Sequence, residues 1–311
     1  MIDDRVVEIR HTIGTNGNLD LRNVSGRVRL VGIDGDEAVV LVRSDRGDSP
    51  QLTVERGEGS LLVEPRRKGG GMFGLAFDRS GGLDFDVHLP RRARLDVKTV
   101  SGDIDGSRLA GEQQYKTVSA DVRLTESAGR ISFLTVSGDV RVHGAIDIEV
   151  DGATTSGDVT IEARSVHRLA VRTVSGDVRI DGRLQAGERH SVETVSGDLL
   201  LELVGGVSLE NRRALDLGRK HAPATYGDGS ARLSFRSMSG EASVSVRAGD
   251  PASPARSSPS GTSWWPTDAG DGPAGTSRHR ADRQMEVLRA LERGEIDVDE
   301  AARSLEAPVD A

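Results

Sequence analysis

Cysteine is absent from the 311 residues, which excludes a disulfide framework, a thiolate zinc site, an iron–sulfur cluster and a thiol nucleophile. Aromatic residues make up only 3%, too few for a core anchored on large rings. Basic residues are outnumbered, 41 Lys and Arg against 49 Asp and Glu, and the net charge of −8 disfavours a general nucleic-acid surface. No apolar run approaches the roughly 18 residues of a membrane span. The opening Met1-Ile2-Asp3-Asp4-Arg5 places acids where a secretory signal needs a basic start, so the expected location is the cytoplasm.

What the chain has in excess is glycine, 38 residues or about 12% against an ordinary ~7%. Much of it falls in a repeat. Thr99-Val-Ser-Gly-Asp-Ile104 recurs at Thr117, Thr135, Thr154, Thr173 and Thr194, with its serines at positions 101, 119, 137, 156, 175 and 196. The intervals are 18, 18, 19, 19 and 21 residues. Degenerate copies at Asn23-Val-Ser-Gly-Arg-Val28 and Ser237-Met-Ser-Gly-Glu-Ala242 stand about four periods before and about two periods after this series. The repeat is therefore expected to organise residues 1–247.

Within a unit the pattern is that of strands. Leu169 and Val171 alternate with polar neighbours, then Val178 and Ile180 do so on the far side of Ser175-Gly176-Asp177. Two short half-buried strands meet at a tight corner, where Gly supplies backbone freedom and Ser and Asp bond nearby backbone N–H groups. Ala120 replaces the corner glycine in one copy. Such a unit cannot bury its apolar face alone, so copies stack. The fold expected is all-β, a parallel β-solenoid of ~19-residue units, with about 12 coils over roughly 55–60 Å at ~4.8 Å per coil.

The strand Leu83-Asp-Phe-Asp-Val-His-Leu-Pro90 followed by serial Thr-Val-Ser-Gly-Asp units resembles the bacterial β-strand-repeat family labelled "putative adhesin", a domain of unknown function. The resemblance is strongest over residues 83–247 and implies a parallel β-solenoid. The adhesive role in the label is not carried over, because nothing in the sequence marks the chain for secretion.

The corner residues Ser101, Gly102, Asp103, Ser137, Gly138, Asp139, Ser156, Gly157, Asp158, Ser175, Gly176, Asp177, Ser196, Gly197 and Asp198 are read as structural. A calcium column is disfavoured, since one Asp per 18 to 21 residues has no second carboxylate fixed beside it. A polysaccharide-cleaving enzyme needs two carboxylates in unlike environments, and these are equivalent. Tyr115 and Phe133 are the clearest aromatics available to stack on a sugar. The Thr column suits either an ice-ordering surface or an inward hydroxyl ladder. The seven histidines are scattered without metal-ligand spacing and read as surface residues. No catalytic, cofactor or metal residue is assigned.

Two regions depart from the repeat. The insertion at 66–82 joins Arg66, Arg67 and Lys68 to a glycine run with Phe73 and Phe77. It reads either as a loop that touches a partner or an anionic membrane, or as a hairpin folded over the solenoid side. Residues 248–279 have a Pro, Gly and Ser linker composition, and within them Trp264 and Trp265 are candidates for docking on the solenoid, another subunit or a partner. Residues 280–307 carry a helical hairpin pattern, with Met285, Leu288 and Leu291 on one face and Val298 and Leu305 on the other helix. This stretch resembles the short SHOCT-like modules, a resemblance that implies oligomerisation. A DNA-reading helix pair is disfavoured by nine acidic against six Arg side chains over 278–311.

The expected function is a non-enzymatic scaffold that engages a protein partner or itself. No nucleic acid, small-molecule substrate or cofactor is expected. The alternatives are a polysaccharide-active β-helix enzyme and a regulator of an envelope-stress or membrane system.

Overall fold

The structure is a computed structural model that describes residues 6–46, 49–66, 82–213 and 223–247. The expected helical hairpin and linker, with Trp264, Trp265, Met285, Leu288, Leu291, Val298 and Leu305, lie outside the described residues, as do Arg67, Lys68, Phe73 and Phe77.

All regular structure among the described residues is strand. The chain begins with β1 (Val6–Thr12), β2 (Asn18–Arg22), β3 (Val28–Ile33), β4 (Glu37–Ser44), β5 (Leu52–Gly57), β6 (Ser60–Pro65) and β7 (Leu83–Pro90). It continues with β8 (Arg94–Thr99), β9 (Ile104–Ser107), β10 (Gln113–Ser119), β11 (Val122–Ser137), β12 (Val140–Ser156), β13 (Val159–Ser175) and β14 (Val178–Leu184). The last are β15 (Arg189–Ser196), β16 (Leu199–Val204), β17 (Val207–Arg213), β18 (Ala224–Tyr226), β19 (Ala231–Ser237) and β20 (Ala242–Arg247).

These strands form two ladders. The first runs β5, β6, β2, β8, β10, β11, β12, β13, β15, β19, β17, β18, parallel except for its two end strands. The second runs β1, β4, β7, β3, β9, β11, β12, β13, β14, β16, β20, antiparallel only where β1 and β4 cap its start. The long strands β11, β12 and β13 belong to both. Register shifts between Leu124 and Gly129, Gly144 and Asp147, and Ala163 and Val166 mark where each crosses from the second ladder to the first.

Alternation along each strand sends one set of side chains to a shared interior. Leu169, Val171, Val178 and Ile180 are all buried, as their spacing requires. The ladders face each other across that interior: a methyl added to Gly106 on the second ladder would stand 3.5 Å from the Tyr115 hydroxyl of the first. Small β-branched and aliphatic residues fill the space, and each fully buried Val, Leu or Ile contributes about 1.5–3 kcal/mol.

The expected count of about 12 coils is corrected by the pairing. The Asn23–Val28 corner sits directly on the Thr99–Ile104 corner, with β2 on β8, β3 on β9 and Ser25 bridged to Ser101. The residues between them are routed outward into β4 to β7. At the other end Ser239 bridges Ser196, and β19 and β20 lie on β15 and β16, so one coil spans what the spacing counts as two. Sequence spacing counts coils only where every residue stays in the winding. The ladder is nonetheless roughly 50 Å long at ~4.8 Å per strand, because antiparallel end strands replace the missing coils.

Candidate functional site

The feature that recurs in every coil is the corner, where a first-ladder strand hands over to the second ladder. Each corner residue has one orientation, repeated along the stack. Thr99, Thr117, Thr135, Thr154, Thr173 and Thr194 point inward and are buried. Thr117 Oγ1 and Thr135 Oγ1 are 2.9 Å apart, whereas the hydroxyls of Thr99, Thr154, Thr173 and Thr194 make no hydrogen bond. Buried hydroxyls present no lattice to ice. The next residue forms a column from Val24 through Val100, Val118, Val136, Thr155, Val174 and Val195 to Met238, in which Val118 and Val136 are buried and Val24 and Met238 at the two ends are about half exposed.

The glycine is required by stacking. Gly157 has φ +139°, and a Cβ there would lie 2.2 Å from the carbonyl oxygen of Gly138 in the preceding coil. Gly157 N–H donates instead to Ser175 O, at 3.2 Å, in the following coil. Ala120 lies outside the left-handed region and still donates its N–H to Ser137 O, at 3.1 Å.

The aspartates form a chain of side-chain to backbone bonds. Asp121 N–H donates to Asp103 Oδ1 at 3.3 Å, Asp139 to Asp121 at 3.0 Å, Asp158 to Asp139 at 3.0 Å, Asp177 to Asp158 at 2.9 Å, and Asp198 to Asp177 at 2.8 Å. Glu241 N–H closes the series on Asp198 Oδ1 at 2.8 Å. One oxygen of each carboxylate is thereby committed to the neighbouring coil. The other is matched by arginines in the N-terminal half, Arg123 on Asp121 and Arg141 on Asp139, each at 2.7 Å. These pairs are solvent-screened and contribute at most about 1 kcal/mol apiece. Among the described residues no three His, Asp or Glu side chains converge as metal ligands.

Ionisation is perturbed inside the ladder rather than at the corner. Burial raises the Tyr115 hydroxyl well above its ordinary value, and the hydroxyl donates to Gln113 Oε1 at 3.0 Å while Gln113 Nε2 donates to Ala128 O at 3.0 Å. Tyr115 and Phe133 are buried, so neither offers a ring to a sugar. His190 corrects the reading of the histidines as surface residues. It is 2% exposed, its Nε2 lies 3.0 Å from Gln185 O, its Nδ1 has no partner, and burial lowers its pKa. The signal was present, since His190 shares the alternation phase of Val192 and Thr194.

The described residues on either side of the insertion belong to the first coil. β6 lies parallel on β2 and β7 parallel on β3, so Arg66 and Gly82, which bracket the insertion, flank the position that Thr-Val-Ser-Gly-Asp takes in other coils. Arg66 is exposed, its N–H bonded to Gln51 O at 2.8 Å, and the chain returns with Leu83 N–H on Ser25 O at 2.8 Å. The basic residue that begins the insertion thus lies at the end of the corner column. Trp264 and Trp265 lie outside the described residues.

Two parallel ladders wound through repeated corners define a β-solenoid. The chain belongs to the Toastrack DUF4097 family, whose model matches residues 18–236, from the first residue of β2 into β19. It is similar to a "putative adhesin" from Bacteroides fragilis, 10% identical over 77% of this chain and 97% of that one, with a TM-score of 0.37. It is also similar to a protein from Parabacteroides distasonis described as lipid binding, 12% identical over 77% of this chain and 97% of that one, with a TM-score of 0.41. A cell adhesion protein from Clostridium sporogenes, described as putative, is 11% identical over 78% of this chain and 100% of that one, with a TM-score of 0.22. No curated protein matches the chain.

Proposed function

We propose that the protein is a non-enzymatic scaffold that binds another macromolecule along the ladder side or through the 66–82 insertion, while the 280–307 segment drives self-association or recruitment. The observation that carries this reading is the equivalence of the corner carboxylates. Hydrolytic catalysis needs a donor and a base held in unlike environments. Here each Oδ1 from Asp103 to Asp198 accepts one backbone N–H from the next coil, which is a structural task repeated along the stack. A segment that interrupts the repeat of a rigid scaffold is a usual place for binding residues.

Removing residues 248–311 is expected to lower the mass measured by light scattering, and an unchanged mass removes the self-association part. Neutralising Arg66, Arg67 and Lys68 together with Phe73→Ala and Phe77→Ala is expected to abolish capture of a partner in an affinity pull-down. Undiminished capture moves the binding surface from the insertion to the ladder sides.

A further inference from the structure

On the outer face of the first ladder, the residues near the start of each strand stack into a row of alternating charge. Arg94 meets Glu112 at 3.5 Å, the register of β10 on β11 carries Glu112 to Arg130, and Arg130 meets Glu149 at 3.0 Å. Glu149 is paired in register with Arg168. There the alternation stops. The register of Ala170 with Ser191 sets Arg168 beside Arg189, and Arg189 is paired in register with Arg232. All three are exposed. The row therefore ends in successive arginines, one per rung, about 4.8 Å apart at the backbone.

The nearby carboxylates are engaged elsewhere. Arg130 holds Glu149 through Nε at 3.2 Å and Nη2 at 3.0 Å, Glu188 lies 3.9 Å from His167 Nε2, and Glu193 takes Arg172 at 3.5 Å and Arg236 at 3.1 Å. Among the described residues, Arg168, Arg189 and Arg232 have no carboxylate within ion-pair distance. The Glu193 group lies on the same strands, four residues further along, and there the middle rung is acidic and two arginines share it. In the row of Arg189 the middle rung is basic. Like charges directly opposite one another destabilise a sheet, so this row opposes folding, and what it offers is attraction for an outside anion. Arg164, exposed on the adjoining bend, adds to the same positive field.

We propose that the row docks an acidic helix of a partner protein, laid along the ladder axis with carboxylates at positions i, i+3 or i+4, and i+7 facing Arg168, Arg189 and Arg232. The inference rests on the scaffold reading and specifies which part of the ladder side binds and what it binds. Spacing selects the helix. The three arginines span two rungs, about 10 Å, and residues i to i+7 of a helix rise about 10.5 Å along one face. An extended segment spreads three same-face acids over about 13 Å. Guanidinium groups take carboxylates in a two-pronged fit, and the row itself already accepts Glu at Arg94 and Arg130. Two residues along, the outward neighbours Ala170, Ser191 and Ser234 offer no ring on which a nucleic-acid base could stack.

Fluorescence anisotropy with the full chain tests this. The probe is a labelled, alanine-based helical peptide of about 20 residues with Glu at i, i+4 and i+7, and the comparison peptide has the same composition with its Glu spread around the helix. The wild type is expected to bind the striped peptide about ten-fold more tightly than the spread one, with an affinity that falls as salt rises. Arg189→Glu continues the alternation of Arg94, Glu112 and Arg130 and is expected to weaken binding about ten-fold or more while leaving the urea midpoint unchanged or higher. Arg168→Gln combined with Arg232→Gln introduces no new charge and should weaken binding to a similar degree. Four results overturn the proposal: no binding by the wild type, equal binding of the two peptides, binding by both variants equal to that of the wild type, or binding of a single-stranded oligonucleotide or a polyuronate of equal charge as tight as that of the striped peptide. None of these touches capture of a partner through the 66–82 insertion, so failure of the row is distinguishable from failure of the scaffold reading.

Discussion

Gly157→Ala should be among the most damaging single-methyl additions in this protein. The new Cβ would fall 2.2 Å from Gly138 O and 2.8 Å from its carbonyl carbon, about 1 Å inside contact distance. The obstacle is backbone, so no side chain can swing away. Relief requires the two coils to part, yet they are joined by Asp158 N–H to Asp139 Oδ1 at 3.0 Å and Val140 N–H to Asp158 O at 2.9 Å. Losing two or three such bonds costs about 0.5–1.5 kcal/mol each, and a left-handed alanine adds about 1–2 kcal/mol. The total is about 2–6 kcal/mol, a large part of the ~5–15 kcal/mol that holds a domain together. Urea unfolding followed by far-ultraviolet circular dichroism should show a correspondingly lower midpoint. Ala120→Gly is the internal control, since that corner already avoids the left-handed region, and its effect should stay within about 1 kcal/mol. A Gly157→Ala loss below about 1 kcal/mol would refute the stacking argument.

Other substitutions separate the remaining roles. Asp177→Ala removes the acceptor of the Asp198 N–H and should cost about 1 kcal/mol, while Asp177→Asn keeps a carbonyl oxygen there and should cost less than half as much in the same unfolding assay. Thr154→Val replaces a buried hydroxyl that makes no hydrogen bond and should be neutral or stabilising by up to about 1 kcal/mol, whereas Thr135→Val strips Thr117 of its 2.9 Å partner and should be destabilising. His190 is held neutral by burial, so its contribution is fully present above the ordinary histidine pKa of about 6.5 and is lost as pH falls through its depressed folded value. Urea midpoints at pH 7 and pH 5 should therefore differ less in His190→Leu than in the wild type; an equal difference would exclude His190 as the source.

The winding was legible wherever alternation and corner fell in phase. Leu169, Val171, Val178 and Ile180 declared both strands and their inward face, and the Thr-Val-Ser-Gly-Asp spacing declared the stack. The ends were not legible by counting. Between Val28 and Arg94 the residues retain strand character but lack the corner, so nothing in their spacing shows that β4 turns antiparallel or that β2 finds β8 across that stretch. His190 was legible from phase and was lost by treating its chemistry before its position. The corner aspartates were read as bonding nearby backbone, and the nearby backbone proved to belong to the next coil. That distinction needs the stack itself, because no local pattern says which amide a side chain will meet.

The carboxylate chain has a direction. From Asp103 to Asp198 the acceptor always comes earlier in the sequence than the amide that bonds it. During synthesis each corner therefore finds its side-chain acceptor already made, and the newest coil can be fastened without waiting for residues still to come. These side-chain bonds allow the central stack to be laid down in the order in which it is translated, each turn serving as the template for the next.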